Sequence, residues 1–156
     1  MGEKGRVLII DDDPKILELL SKALKENYSV FPSLTGSGGL EIFKNEILDA
    51  ALVDIKLPDI DGLDVLVEIK KTLPDFPVII ITGHASIPLA VRAMKLGAFY
   101  FVKKPFELEE ITSLLDKAIE HSRLIRDYRR LQNIALEKYS FSGIIGRSKK
   151  MKEIFE

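Results

Sequence analysis

Cysteine and tryptophan are absent from the 156-residue sequence, and histidine occurs only twice. Without cysteine there are no disulfides, thiolate metal sites or cysteine nucleophiles. With only His84 and His121, an imidazole-rich metal centre is disfavoured as well. Oxygen ligands remain, which favours Mg²⁺ as the metal. No apolar run approaches the roughly eighteen residues of a membrane helix, and no cationic leader precedes an apolar core. A cytoplasmic protein without membrane contact is expected. The apolar share of 46 % fills a core, and the length suits one domain of about 100 to 150 residues plus a remnant. Glutamine and asparagine are scarce beside Lys, Glu and Ile, a usage resembling that of thermophile proteins.

The net charge of -1 conceals an asymmetry: residues 1–106 carry 13 basic and 15 acidic side chains, residues 121–152 carry 9 and 2. No aromatic interleaving accompanies the basic tail, so a solvated, linker-like face is favoured over a nucleic-acid patch. Along the chain, apolar strand-like runs alternate with helical periodicity. Arg6–Ile10 reads as a strand, then Asp13 caps a helix with Pro14 in its first turn and Ile16, Leu17, Leu19, Leu20, Ala23 and Leu24 on its apolar face. Tyr28–Leu34 is a second strand, placed at a sheet edge by Pro32. Gly36–Gly39 reads as a loop before a helix carrying Leu40, Ile42, Phe43 and Ile47. Ala50–Asp54 is the third strand, and a helix from Leu63 to about Thr72 buries Val65, Leu66 and Ile69. Pro77–Ile81 is continuously apolar, as a strand buried on both faces would be. Pro88 suits the start of a helix through Val91 and Met94 that stops at Gly97, and Phe99–Val102 is the fifth strand. Helical periodicity then runs from about Glu107 to about Lys138. Five strands alternating with helices predict an α/β fold with a doubly wound parallel sheet, ordered 2-1-3-4-5 so that the most apolar strands are central.

A parallel sheet of this kind gathers the residues that follow its strands at one edge. Those residues are Asp11-Asp12, Asp54, Thr82 and Lys104. Each has a plain structural reading in isolation. Asp54 could cap the next turn, Thr82 could be a helix-start hydroxyl, and Lys104 could be solvated. Four fragments in order, Ile10-Asp-Asp-Asp13, Val53-Asp54-Ile-Lys-Leu-Pro58 with Asp61-Gly62, Ile81-Thr-Gly-His-Ala85 and Lys103-Lys-Pro-Phe106, resemble the receiver domain of two-component response regulators, of flavodoxin-like (CheY-like) fold. The resemblance covers about residues 5–120. It implies that Asp54 is the phosphoacceptor, that Asp12, Asp54 and the backbone carbonyl of Lys56 hold Mg²⁺ with Asp11 acting largely through bound water, and that Thr82 and Lys104 balance the phosphoryl charge. It further implies a cis bond before Pro105 and a switch in which Thr82 and Phe101 move together. A core phenylalanine is the alternative for Phe101, and exposed loop side chains are the alternative for His84 and Lys56 as tuners of the attacking water. The domain is expected to accept a phosphoryl group from a sensor histidine kinase, at most dephosphorylating itself, and not to turn over a substrate.

Leu124, Tyr128, Leu131 and Ala135 repeat at spacings of four, three and four, as in a coiled-coil seam. A homodimer through this helix is favoured over an amphipathic helix packed on its own domain. Residues 139–156, with Ile144-Ile-Gly-Arg-Ser-x-x-Met151, resemble the opening of the AAA+ ATPase domain of sigma-54-dependent, NtrC-type activators. No Gly-x-x-x-x-Gly-Lys-[Ser/Thr] loop follows. The expected organisation is a receiver over 1–120, a linker and dimerisation helix over 121–138, and an AAA+ stub over 139–156. The parent would bind DNA and sigma-54 RNA polymerase, whereas this fragment would not bind DNA. Two rivals stay open: a degenerate receiver serving as a constitutive dimerisation module, and a dehalogenase-like phosphohydrolase, whose first strand would end Asp-x-Asp rather than Asp11-Asp12-Asp13-Pro14.

Overall fold

The computed structural model describes residues 4–142, with side chains through Lys138. Its elements are β1 (Gly5–Ile10), α1 (Pro14–Leu24), β2 (Tyr28–Ser33), α2 (Gly36–Asn45), β3 (Ala50–Asp54), α3 (Gly62–Thr72), β4 (Val78–Thr82), α4 (Ile87–Lys95), β5 (Tyr100–Lys103) and α5 (Leu108–Ser142). The chain divides into two units, residues 1–122 and 123–156. The second is described as helical backbone from Arg123 to Ser142, a little beyond the expected end near Lys138. From residue 143 onward, the AAA+-like stretch lies outside the described residues.

The five strands form one parallel sheet in the order β2-β1-β3-β4-β5. Its two faces bury different side chains, as a pleat of period two requires. One face carries Val7, Ile9, Leu52, Ile79, Ile81 and Val102, covered by Leu17, Leu20 and Leu24 of α1 and by Ile111, Leu115 and Ala118 of α5. The other carries Leu8, Ile10, Ala51, Val53, Val78 and Ile80, covered by α2, α3 and α4 through residues such as Phe43, Val65, Leu66, Ile69 and Ala93. β3 and β4 are buried at every position, which explains their unbroken apolar spelling. Pro32 sits on β2, which among the described residues pairs with β1 alone and so forms a sheet edge, where a missing N–H is tolerated.

Local signals mark several helix ends. The Asp13 carboxylate accepts the Lys15 N–H at 2.9 Å ahead of Pro14, and the Ser86 hydroxyl accepts the Leu89 N–H at 3.2 Å ahead of α4. Gly97 follows the last residues of α4 with a φ of 102°. The apolar stripes are narrower than their spelling suggests. Leu19 and Ala23 of α1 are exposed, Val91 and Met94 of α4 are exposed while Ala93 is buried, and Ile47 lies beyond the end of α2 in solvent. The loop expected at Gly36–Gly39 is instead the first turn of α2, capped by Thr35. Glycine is present there because the helix lies almost on the sheet: a Cβ on Gly39 would stand 2.1 Å from Ile10 Cδ1.

Gly62 is more tightly confined. A Cβ there would lie 2.0 Å from the backbone oxygen of Asp54 and 2.7 Å from Ile55 Cα, neither of which can rotate away. Gly62→Ala is therefore expected to cost about 2–4 kcal/mol in urea unfolding, as an overpacked site does. Gly83, whose nearest contact would be Lys104 Cβ at 3.9 Å, serves as the control. Gly83→Ala should shift stability by less than about 0.5 kcal/mol, and equal losses at the two positions would contradict this packing.

Candidate functional site

Strand register brings the polar residues together. Ile10 lies opposite Val53, so the next residues, Asp11 and Asp54, leave the sheet side by side. Asp54 lies opposite Ile81, and Thr82 opposite Lys103, which carries the same edge across β4 and β5. Short turns then hold each group. The Asp11 carboxylate accepts the Asp13 N–H at 2.9 Å, and the Asp54 carboxylate accepts the Lys56 N–H at 3.3 Å. Lys104 N–H donates to the Thr82 carbonyl at 2.8 Å, and the Lys104–Pro105 bond is cis.

The Lys104 ammonium bridges the two buried acids, at 2.8 Å from Asp11 Oδ2 and 3.0 Å from Asp54 Oδ2. Asp12 is exposed, yet carboxylate oxygens of Asp11, Asp12 and Asp54 all lie within 4.8 Å of one another. Burial pushes the Asp54 carboxyl above its ordinary range, and the neighbouring Asp11 charge adds to this, while Lys104 and the Lys56 N–H pull the other way. Burial alone would lower Lys104, but its bonds to Asp11 and Asp54 outweigh that and hold it above the usual lysine value. The site is thus a cluster of hard oxygen donors with one fixed cation, able to bind a divalent metal and an anionic group together.

The remaining sequence candidates are placed differently. Thr82 is fully buried, and its hydroxyl accepts the His84 N–H at 3.1 Å. Phe101 is partly buried among the α2–α4 side chains, whereas Phe99 packs against the opposite cluster and Tyr100 is exposed. Leu124, Tyr128 and Leu131 belong to the second unit and are 61 %, 63 % and 61 % exposed. Sequence reasoning passed over Asp59, whose carboxylate accepts the N–H groups of Gly36 and Ser37 at 2.9 and 2.8 Å. An acid just after Pro58 was the available signal, but its partners lie more than twenty residues upstream.

Residues 7–116 match the family described as response regulator receiver domain. The chain belongs to the response regulator receiver family. Among curated relatives, it is 39 % identical over 126 residues to the transcriptional regulatory protein GlrR of Escherichia coli K12, covering 80 % of this chain and 28 % of GlrR. It is 34 % identical over 154 residues to the DNA-binding transcriptional regulator NtrC of Proteus hauseri, covering 98 % of this chain and 32 % of NtrC. The receiver chain thus spans about a third of the length of these NtrC-type regulators. In three dimensions it resembles NtrX of Brucella abortus solved with ADP, with a TM-score of 0.76 and 31 % identity over 83 % of this chain and 30 % of that one. Among the described residues, no helix is long and apolar enough to cross a membrane.

The receiver's bridging lysine sets a pH dependence. The raised Asp54 value means that its contribution to stability is fully present below the unfolded value near 4 and is lost as pH rises through the folded value. Removing Lys104 leaves two buried carboxylates without their cation and raises that value further. Lys104→Met should therefore cost about 2 kcal/mol at pH 7, at the low end for a broken buried pair because the edge is partly hydrated, and much less near pH 4. Thermal melts across this range check it; a pH-independent loss would contradict the assigned charges.

Proposed function

We propose that this chain is the phosphorylation-controlled receiver of a sigma-54-dependent, NtrC-type transcription activator, with Asp54 as the phosphoacceptor. The observation that carries the reading is the Lys104 ammonium held between Asp11 and Asp54, with Asp12 completing an acidic trio.

A carboxylate oxygen of Asp54 attacks phosphorus of a phosphohistidine on the sensor kinase; the P–N bond breaks and the imidazole, already protonated on its other ring nitrogen, leaves as the neutral base. Catalysis of such a transfer is mainly positioning and electrostatics. The donor set fits Mg²⁺: Asp11, Asp12 and Asp54 offer hard oxygens within one small volume, and the Lys56 carbonyl lies on the loop that leaves Asp54. When bound, the ion neutralises the acids and the incoming phosphoryl oxygens. Lys104 already faces Asp54 Oδ2, so it keeps a partner when that carboxylate becomes an acyl phosphate. Thr82 accepts the His84 N–H through an oxygen lone pair, which leaves its O–H to donate to a phosphoryl oxygen.

Phosphorylation adds about -1.5 to -2 charges at this edge. Movement of Thr82 toward the phosphoryl group opens space for Phe101, which is only partly buried, and this repacks the surface of α4, β5 and α5. Phe101 has no hydroxyl, so its inward state rests on packing. The message passes along α5, whose exposed Leu124, Tyr128 and Leu131, with Ala135, form the seam of a homodimer. Residues 1–120 act as the receiver, 121–138 as the dimerisation helix, and 139–156 open the AAA+ ATPase domain of the cytoplasmic parent. The parent binds DNA and sigma-54 RNA polymerase through parts beyond this receiver.

Asp54→Ala should abolish acid-labile phosphate incorporation from a phosphorylated kinase or acetyl phosphate; retained label would place the acceptor elsewhere. Leu124→Asp combined with Leu131→Asp should sediment as a monomer where the unmodified chain sediments as a dimer, and a persisting dimer would discard the seam.

A further inference from the structure

The loop that leaves Asp54 is fastened to a neighbouring helix. Asp59 Oδ1 accepts the Gly36 N–H at 2.9 Å and Oδ2 accepts the Ser37 N–H at 2.8 Å. These are among the first N–H groups of α2, which have no partner inside the helix. The Ser37 hydroxyl also bonds this carboxylate. Together with the Ser37, Gly36 and Ile60 N–H groups it holds the Asp59 carboxyl well below the usual range. An apolar contact lies alongside: a Cβ on Gly36 would stand 2.4 Å from Ile60 Cγ1, so Ile60 is seated directly on the helix start.

Asp59 supplements the cap that Thr35 supplies, and does so from a different segment of the chain. Thr35 Oγ1 already caps α2 by accepting the Gly38 N–H at 3.0 Å. What Asp59 adds is a fixed point in the β3–α3 loop. The loop's ends are tied to β3, since Lys56 N–H donates to Asp54 and Gly62 N–H donates to the Ile55 carbonyl at 2.7 Å. Lys56 stands at the first of these ties, three residues before Asp59, with Pro58 locking one backbone dihedral on the way. A backbone carbonyl has no rotamers of its own, so the position of the Lys56 oxygen is set by how this loop is held. Mg²⁺ demands near-ideal octahedral geometry and responds to small displacements of a ligand.

We propose that Asp59 is a positioning residue: by clasping the N-terminus of α2 it holds the β3–α3 loop so that the Lys56 carbonyl is preorganised for Mg²⁺. This rests on the metal reading given above, and the test separates the two. Mg²⁺ is titrated calorimetrically into the whole chain at physiological ionic strength, where the field of an exposed charge is screened over about 8 Å. Asp59→Ala should weaken Mg²⁺ binding about tenfold, the scale of losing an outer support of a metal ligand. Asp59→Asn, which retains one acceptor oxygen, should fall between. Thr35→Ala removes the other cap of the same helix, so it should lower the melting temperature while leaving the Mg²⁺ dissociation constant within about twofold of wild type, because it does not touch the loop. Wild-type affinity in Asp59→Ala, or equal weakening in Thr35→Ala, overturns the clasp alone. A wild-type chain with no affinity for Mg²⁺ overturns the metal reading and the clasp with it.

Discussion

Two buried carboxylates from adjacent strands repel each other, and the Lys104 ammonium is what allows Asp11 and Asp54 to share one edge of the sheet. Much of the molecule serves that meeting. The register of β1 on β3 sets the acids side by side, β4 carries the hydroxyl of Thr82, and β5 delivers the lysine from the far edge. The arrangement is not electrostatically satisfied. One ammonium faces two buried acids with Asp12 nearby, and burial keeps the Asp54 carboxyl raised. A site with surplus acid beside a fixed cation is suited to gaining a divalent ion and then an anionic group.

The helices keep this edge stiff. α3 begins at Gly62, whose hydrogen presses on the backbone of Asp54 and Ile55, and the Asp61 carboxylate caps it by accepting the Leu63 N–H at 2.8 Å. α2 lies so close to the sheet that Gly39 meets Ile10 of β1, and its start so close to the β3–α3 loop that Gly36 meets Ile60. The acids are therefore set by backbone packing more than by flexible side chains, as preorganised charge stabilisation requires. By contrast, α4 buries Ala93 and leaves Ile87, Val91 and Met94 exposed, and β5 leaves Tyr100 exposed. The element beside Thr82 and Phe101 buries fewer residues than the other two helices on that face.

Much of this was legible in the sequence because strand identity and strand ends are local signals. Five apolar runs, four of them closing on Asp11, Asp54, Thr82 and Lys103-Lys104, marked the sheet and its polar edge, and Pro32 marked an edge strand. What escaped was set by distances across the fold. Glycines usually read as loop, but Gly36 and Gly39 are helical because Ile60 and Ile10 press on them, and neither neighbour is near in the chain. Val91 and Met94 have helical spacing without being buried, since a nine-residue helix at the sheet edge covers little. Asp59 reads as an ordinary turn acid until α2 is placed against it.

The central claim is that this edge delivers Asp54, and no other acid, to an incoming phosphoryl group. The direct measurement is to treat the chain with acetyl phosphate and Mg²⁺, reduce any acyl phosphate with borohydride, and locate the product by tandem mass spectrometry. The account predicts homoserine at position 54 and unmodified aspartate at 11 and 12. Homoserine at another acid, or none at all, would contradict it.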